Sequence, residues 1–431
     1  MVAGEASGDL LASLLLGGMM ARWPGLRVTG IGGPKMQALG FDAWWPSDKL
    51  AVRGYVEVLR HYREISAIRE ALASRLLADR PQAFIGVDAP DFNLGLAKRL
   101  KAAGVPAIQF VCPSIWAWRG GRARRMAESV DHVLCLFPFE PELLHAHGVA
   151  ATFVGHPLAD AIPLLPPREA GRQALNLSEG DSVVAVMPGS RRSEIDSIAP
   201  VFLQTVARLH RQRPDLRFLL PVAPGLRERL LPLVEEHAPG APLQLLEGQS
   251  HAALAACDVT LIASGTATLE AALFKRPMVI GYRMNALSWQ IMKRMKYQPW
   301  VGLPNILCRD FVVPELLQDD CRPEALARAT LAWLDDPAGV ARLRSRFDDL
   351  HHLLRRDTAR RATDAIAQII QACRARPGLG TARSVGRCRR SRPRPAGRPG
   401  GGRSGDPRRA QADPRPGRLE GADGAATRAA V

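Results

Sequence analysis

Short apolar runs of five or six residues recur along the chain and alternate with longer stretches whose apolar residues repeat at helical spacing. The runs Arg27–Ile31, Ala83–Val87, Ala107–Val111, His132–Leu136, Val183–Met187, Arg217–Val222, Val259–Ala263 and Met278–Tyr282 read as buried strands. Most end in a Gly, Pro or Ser turn and pass into a helical pattern such as Leu94–Ala103 or Pro200–Arg211. Strands alternating with helices in this way predict parallel sheets with crossover helices. The alternation runs twice. A proline-rich break, Ile162-Pro163-Leu164-Leu165-Pro166-Pro167, separates the two runs and reads as a linker. The expected fold class is therefore α/β, with two Rossmann-like domains facing a cleft, a shape that suits a two-substrate reaction. The first strand is expected before Gly4 and keeps only Met1-Val2-Ala3, short against the usual five or six residues, which leaves open a start further upstream.

Composition adds little to this until the charge is divided. The chain has 431 residues, 47% hydrophobic and 23% charged, and a net charge of +16. Residues 374–431 hold 15 Arg against 4 Asp or Glu and so carry +11 of it. This tail of Arg, Pro, Gly and Ala has almost nothing to bury, so a disordered extension is expected. No aromatic residues interleave its arginines as single-strand stacking would require, so no specific nucleic acid is expected as a partner. No charge-free apolar run reaches the roughly 20 residues of a membrane span, and no secretory signal is read at the N-terminus. The seven cysteines form no Cys-x-x-Cys pair, so neither a zinc site nor a disulfide framework is expected, and a reducing cytoplasm fits.

Five stretches carry candidate chemistry. Gly4-Glu5-Ala6-Ser7-Gly8-Asp9 is read as opening a helix from Leu10 to about Arg22, either as a backbone approach to an anion or as a turn capped by Ser7 or Asp9. Gly86-Val87-Asp88-Ala89-Pro90-Asp91-Phe92-Asn93 lies at a strand's C-terminal end, where open α/β sheets bind ligands. Asp88 and Asp91 are candidates for general-base duty, one acting and one tuning it; helix capping is the plainer alternative but needs only one acid. Pro113-Ser114-Ile115-Trp116-Ala117-Trp118-Arg119 offers aromatic walls for a sugar or acyl chain, or two core tryptophans. Pro188-Gly189-Ser190-Arg191-Arg192-Ser193-Glu194 could hold a diphosphate through backbone amides, Ser190 and an arginine fork. Ala263-Ser264-Gly265-Thr266-Ala267-Thr268-Leu269-Glu270 is the strongest signal: a strand running into a hydroxyl-rich loop and a helix N-terminus, with Glu270 read in the first turn as a ligand for two ribose hydroxyls or as a helix-dipole partner. Ser288–Trp300 mixes Trp, Lys, Arg and apolar residues and reads as a basic amphipathic helix for a membrane surface, or as an ordinary surface helix; Val52–Arg60 is similarly ambiguous.

Together with Leu303-Pro304-Asn305, these motifs occur in an order that resembles the lipid-A-disaccharide synthase family, inverting glycosyltransferases of the GT-B fold, over roughly residues 1–372. The resemblance implies transfer of 2,3-diacylglucosamine from UDP to the 6-hydroxyl of 2,3-diacylglucosamine 1-phosphate, giving a β-1,6 disaccharide and UDP, without metal or other cofactor. It implies Asp88 as base and Arg191 on the departing diphosphate. It places Ser264, Gly265, Thr266, Thr268, Glu270 and Asn305 on the nucleotide, and Glu5, Ser7, Asp91 and Trp116 on the acceptor. Residues 1–162 would form the acceptor domain, 163–345 the UDP-sugar domain and 346–373 a helical segment packing back on both. A cytoplasmic enzyme peripheral on the cytosolic face of the inner membrane is implied, and a homodimer is left open. The alternatives are a UDP-GlcNAc 2-epimerase or another sugar-nucleotide enzyme on the same fold and, in another class, a nucleic-acid binder acting through the tail.

Overall fold

The computed structural model describes residues 1–50, 55–115, 122–284, 289 and 298–375. Thirteen strands form two wholly parallel sheets among them. The first holds β1 (Val2–Ala3), β2 (Thr29–Gly32), β3 (Asp42–Pro46), β4 (Phe84–Val87), β5 (Ala107–Phe110), β6 (His132–Cys135) and β7 (Ala151–Phe153), in the order β3-β2-β1-β4-β5-β6-β7. The second holds β8 (Ser182–Met187), β9 (Leu216–Val222), β10 (Leu243–Glu247), β11 (Val259–Ala263), β12 (Met278–Tyr282) and β13 (Glu315–Leu317), in the order β10-β9-β8-β11-β12-β13. Helices cover both faces of each sheet, so the inner strands are largely apolar, and every residue of β4, β5 and β11 is buried.

Each order reverses once, between β1 and β4 in the first sheet and between β8 and β11 in the second. At such a switch point neighbouring crossovers leave on opposite faces, and a crevice opens at the strands' C-terminal ends. Register brings the expected motifs there. Ala3 pairs with Val87, which sets Gly4 beside Asp88, and Ile262 pairs with Met187, which sets the Ser264 loop beside Pro188.

β1 is short but held on both sides, Val2 pairing with Ile31 and with Gly86, and both its residues are buried. The helix after it spans Glu5–Arg22 rather than starting at Leu10, with Gly4 at the N-cap position and no side-chain cap. Ser7 and Asp9 therefore lie inside the helix. Asp9, buried, instead accepts the backbone N–H groups of Gly33, Lys35 and Met36 and thereby caps the helix Pro34–Gln37. The helix expected from Pro200 starts at Arg192 and runs to Gln212 with Pro200 inside it. Its buried stripe of Ile195, Ile198, Phe202, Val206 and Leu209 continues through the proline, and that burial outweighs the lost backbone bond.

No helix or strand covers Ile162–Pro167, and Leu165 is exposed there. On either side the chain is pinned. His156, fully buried and stacked on Phe137, accepts from Leu158 N–H, and burial pushes its pKa down to about 4. Arg172, 2% exposed, donates to the carbonyls of Ser178, Glu179, Asp181 and Ala256 and pairs with Asp258. The helix Thr358–Ala375 lies on Glu5–Arg22, where a Cβ at Gly18 would stand 2.7 Å from that of Ala359 and Arg22 pairs with Asp364.

Candidate functional site

The two switch points touch. Arg191, the N-cap residue of Arg192–Gln212, donates to the carboxylate of Glu5 at 2.8 Å, a bridge from the loop after β8 to the turn after β1. Its other partner is Glu194, one turn into the helix. Burial draws the guanidinium's pKa down, but Glu194 and Glu5 more than offset this and hold it above its ordinary value, so the side chain stays charged. The amides of Ser190 and Arg191, expected to face a diphosphate, donate to the Glu194 carboxylate. That carboxylate packs so close to Gly189 (φ +120°) that a Cβ there would collide with it.

On the first sheet the backbone turns left-handed at the strand ends: Glu5 has φ +59°, Asp88 +50° and Ala89 +41°. Such values are rare outside glycine and collect at functional sites. The helix Pro90–Ala102 has no side-chain cap, so capping does not account for Asp88. Asp88 is half-buried, and its carbonyl receives N–H groups from Asn93 and Gln109. Asp91 is exposed and gripped by both oxygens in an ion pair with Arg122 at 2.7 Å. Ser7 is half-buried. Trp116 lies outside the described residues, as do Trp118, most of Ser288–Trp300, the start of Val52–Arg60 and the tail beyond Ala375.

On the second sheet Gly265 caps the helix Thr266–Leu273, and Gly265 and Thr266 are exposed. The amide of Thr268 donates to the Gly265 carbonyl, while those of Thr266 and Ala267 have no partner within the helix, the geometry in which a helix N-terminus can receive an anion. Ser264 is half-buried, its hydroxyl donating to the carbonyl of Val301. Thr268 differs from expectation: fully buried, its hydroxyl turns back onto the Gly265 carbonyl and shapes the loop from beneath. Glu270 lies in the second turn, not the first, and has His251 3.2 Å away. A carboxylate past the first turn gains little from the helix dipole, which weakens that explanation. Asn305 also differs from expectation. It is fully buried, donates to Val313 O and Glu315, and accepts from Val313 N–H. Glu315 in turn accepts from the amides of Val301 and Gly302, so Asn305 supports the wall behind Ser264 and does not face the cleft.

Gln109, Glu194, His251 and Glu315 complete the arrangement and were not read from the sequence. Only Gln109 left a signal, as a lone polar residue inside the apolar strand Ala107–Phe110. Among the described residues no three or more His, Cys, Asp or Glu side chains are grouped so as to hold a metal ion, and no helix is long and apolar enough to cross a membrane.

The lipid-A-disaccharide synthetase family profile matches residues 1–370. Curated relatives named lipid-A-disaccharide synthase include one from Verminephrobacter eiseniae, 57% identical over 375 residues, and one from Albidiferax ferrireducens, 58% identical over 376. The matches span 86% of this chain and 96% and 97% of those relatives. Among solved structures, a UDP-GlcNAc 2-epimerase from Neisseria meningitidis bound to UDP-GlcNAc superposes with TM-score 0.58 at 10% identity, over 86% of this chain and 98% of that one. The glycosyltransferase of kitacinnamycin superposes with TM-score 0.54 at 18% identity, over 86% and 97%. At such identities these neighbours share the two-Rossmann fold alone, so the epimerase likeness says nothing of activity. Sequence relatives above half identity over nearly their whole length decide the assignment: the chain belongs to the lipid-A-disaccharide synthase family.

Proposed function

We propose that the chain carries out its family's transfer across the junction of the two switch points, the first sheet taking the lipid monosaccharide phosphate and the second UDP-diacylglucosamine. The observation that carries this division is the Glu5–Arg191 pair, which brings an acid-bearing turn and an anion-binding loop to one place. Asp88 takes the proton of the acceptor's 6-hydroxyl as its oxygen attacks C1 of the donor sugar. The C1–O bond to phosphate breaks on the opposite face and UDP leaves with the electron pair, so the anomeric centre inverts. Arg191, charged and half-buried, exchanges a carboxylate partner for the departing diphosphate, and the exposed N-terminus at Gly265 and Thr266 receives its other charge without a metal. Glu270 receives the ribose hydroxyls with His251 beside it. Asn305 and Thr268 act behind these groups, and Glu5, Ser7, Asp91 and Trp116 line the acceptor's side.

Both substrates carry acyl chains, so they are met at a bilayer surface, which we take to be the cytosolic face of the inner membrane. The sequence Ser288–Trp300, with Trp289, Lys293, Arg294, Lys296 and Trp300, has the composition for contact with anionic lipid. The test is incubation with UDP-diacylglucosamine, with and without the monosaccharide acceptor, followed by mass spectrometry. A disaccharide monophosphate formed only with both substrates is expected. An epimerised UDP-sugar formed without acceptor, or no disaccharide with it, would overturn the reading.

A further inference from the structure

Gln109 stands in β5 between Ile108 and Phe110, 1% exposed, where an apolar residue would pack without cost. Its side-chain oxygen has no hydrogen-bond partner, and neither has that of Asn93, which is fully buried in the first turn of the helix Pro90–Ala102. Two unsatisfied amide oxygens in a core weigh against the fold. Turning either amide over would set its oxygen against a carbonyl, so the nitrogens fix the orientation.

Those nitrogens converge. Gln109 Nε2 donates to the Asp88 carbonyl at 3.0 Å and Asn93 Nδ2 donates to the same oxygen at 2.8 Å. Gln109 reaches on to the carbonyl of Val111 at 3.3 Å, and Asn93 to that of Val2 at 3.4 Å. Asp88 (φ +50°) and Val111 (φ +77°) are the left-handed residues directly after β4 and β5, and a β-branched residue pays heavily for that conformation. Gly86 leaves the room. A Cβ there would lie 2.9 Å from Asn93 Cβ and Cγ and from Gln109 Oε1.

We propose that Gln109 and Asn93 are positioning residues for the transfer: their amides grip the main chain at Asp88 and hold the left-handed turn that presents its carboxylate to the acceptor hydroxyl. The orphaned oxygens are what the fold gives up for that grip. The proposal rests on Asp88 as the base, and neither amide touches substrate.

Gln109→Met keeps the side chain's length and removes both the donor and the orphaned oxygen. Turnover is counted per site able to bind UDP, by calorimetric titration, and the melting temperature is measured alongside. The expected result is a kcat per site lower by about 10- to 100-fold, the scale on which small misplacements of a reacting group act. KM for the UDP-sugar should stay within about twofold, and the melting temperature should not fall. Gly86→Ala, whose methyl presses on both amides, should give the same fall in kcat per site. A Gln109→Met enzyme with native kcat per site would overturn the proposal, and so would a loss of rate matched by an equal loss of UDP-binding sites, since the amides would then only hold the fold. Asp88→Asn in the same series separates the two readings: if it remains active the base assignment itself fails, whereas an inactive Asp88→Asn beside a normal Gln109→Met removes only the positioning role.

Discussion

The two switch points share one topology and carry opposite chemistry in the residues after their strands. At the first, carboxylates stand on left-handed turns, Glu5 at φ +59° and Asp88 at +50°, with a buried amide clamp behind the second. At the second, the loop Ser264–Thr268 offers the exposed Gly265–Thr266 helix N-terminus, while Gly189 beside it sits against the internal carboxylate of Glu194. A site that removes a proton needs a negative group fixed in an unusual direction; a site that receives a diphosphate needs donors whose direction ordinary helix geometry already sets. The parallel sheet supplies a crevice in both cases, and the residues in the first few positions after the strand decide its sign.

That contrast can be broken in several places. The largest effect is expected from Asp88→Asn, which should lower turnover by about 10²–10⁴-fold while UDP affinity holds, measured by initial rates and calorimetry. Near-native turnover would return Asp88 to the turn. Arg191→Ala should cost about 10²–10³-fold in kcat, the loss typical of removing one charge-stabilising donor, and because it also breaks the bridge to Glu5 it should weaken acceptor saturation. A fall confined to stability would make the arginine a strut between the two sheets.

Stability against acid tests the linker side of the junction. His156 is buried and neutral, with a pKa near 4 in the fold against 6.5 in the unfolded chain. The unfolded chain therefore binds the extra proton between those values. The contribution is fully present above pH 6.5 and is lost as pH falls toward 4, by up to about 3 kcal/mol. Urea midpoints measured across that range should decline, and His156→Gln should decline less steeply. Equal slopes would mean that other groups drive the acid loss. The smallest expected effect is none: if Arg191 and the Gly265 terminus receive the leaving charge as proposed, EDTA should leave the rate unchanged. Activity lost to the chelator and restored by Mg²⁺ or Mn²⁺ would replace that half of the comparison.

How much of this was legible in the sequence follows the sheets' anatomy. The eight strands read from apolar runs are all interior, and nearly all of their residues are buried. The four missed strands, Asp42–Pro46, Ala151–Phe153, Leu243–Glu247 and Glu315–Leu317, are the four sheet edges, short or half-exposed, with too little buried surface to leave a run. The site divides similarly. Loops that follow interior strands announce themselves, so Asp88, Arg191 and the Ser264 loop are singled out by the sequence, and the structure sets them at the two switch points. What a polar side chain does once placed depends on partners distant in sequence. Asn305 looked like a cleft residue and is a buried brace on Val313 and Glu315; Thr268 looked like a loop hydroxyl and folds back onto Gly265. Glu194, three residues from Arg191, takes the amides of Ser190 and Arg191 that were expected to face phosphate.

The division of labour between the two switch points is tested most directly by crossing Asp88→Asn with Glu270→Ala and measuring, for each, the UDP dissociation constant and the single-turnover rate at saturating substrates. Asp88→Asn should lose the rate and keep UDP binding. Glu270→Ala should lose about 10-fold or more in UDP affinity, the scale of hydrogen bonds to a charged group, and recover most of its rate once saturated. If both variants lose both quantities together, or if Glu270→Ala binds UDP as the native protein does, the two turns do not divide the reaction between them.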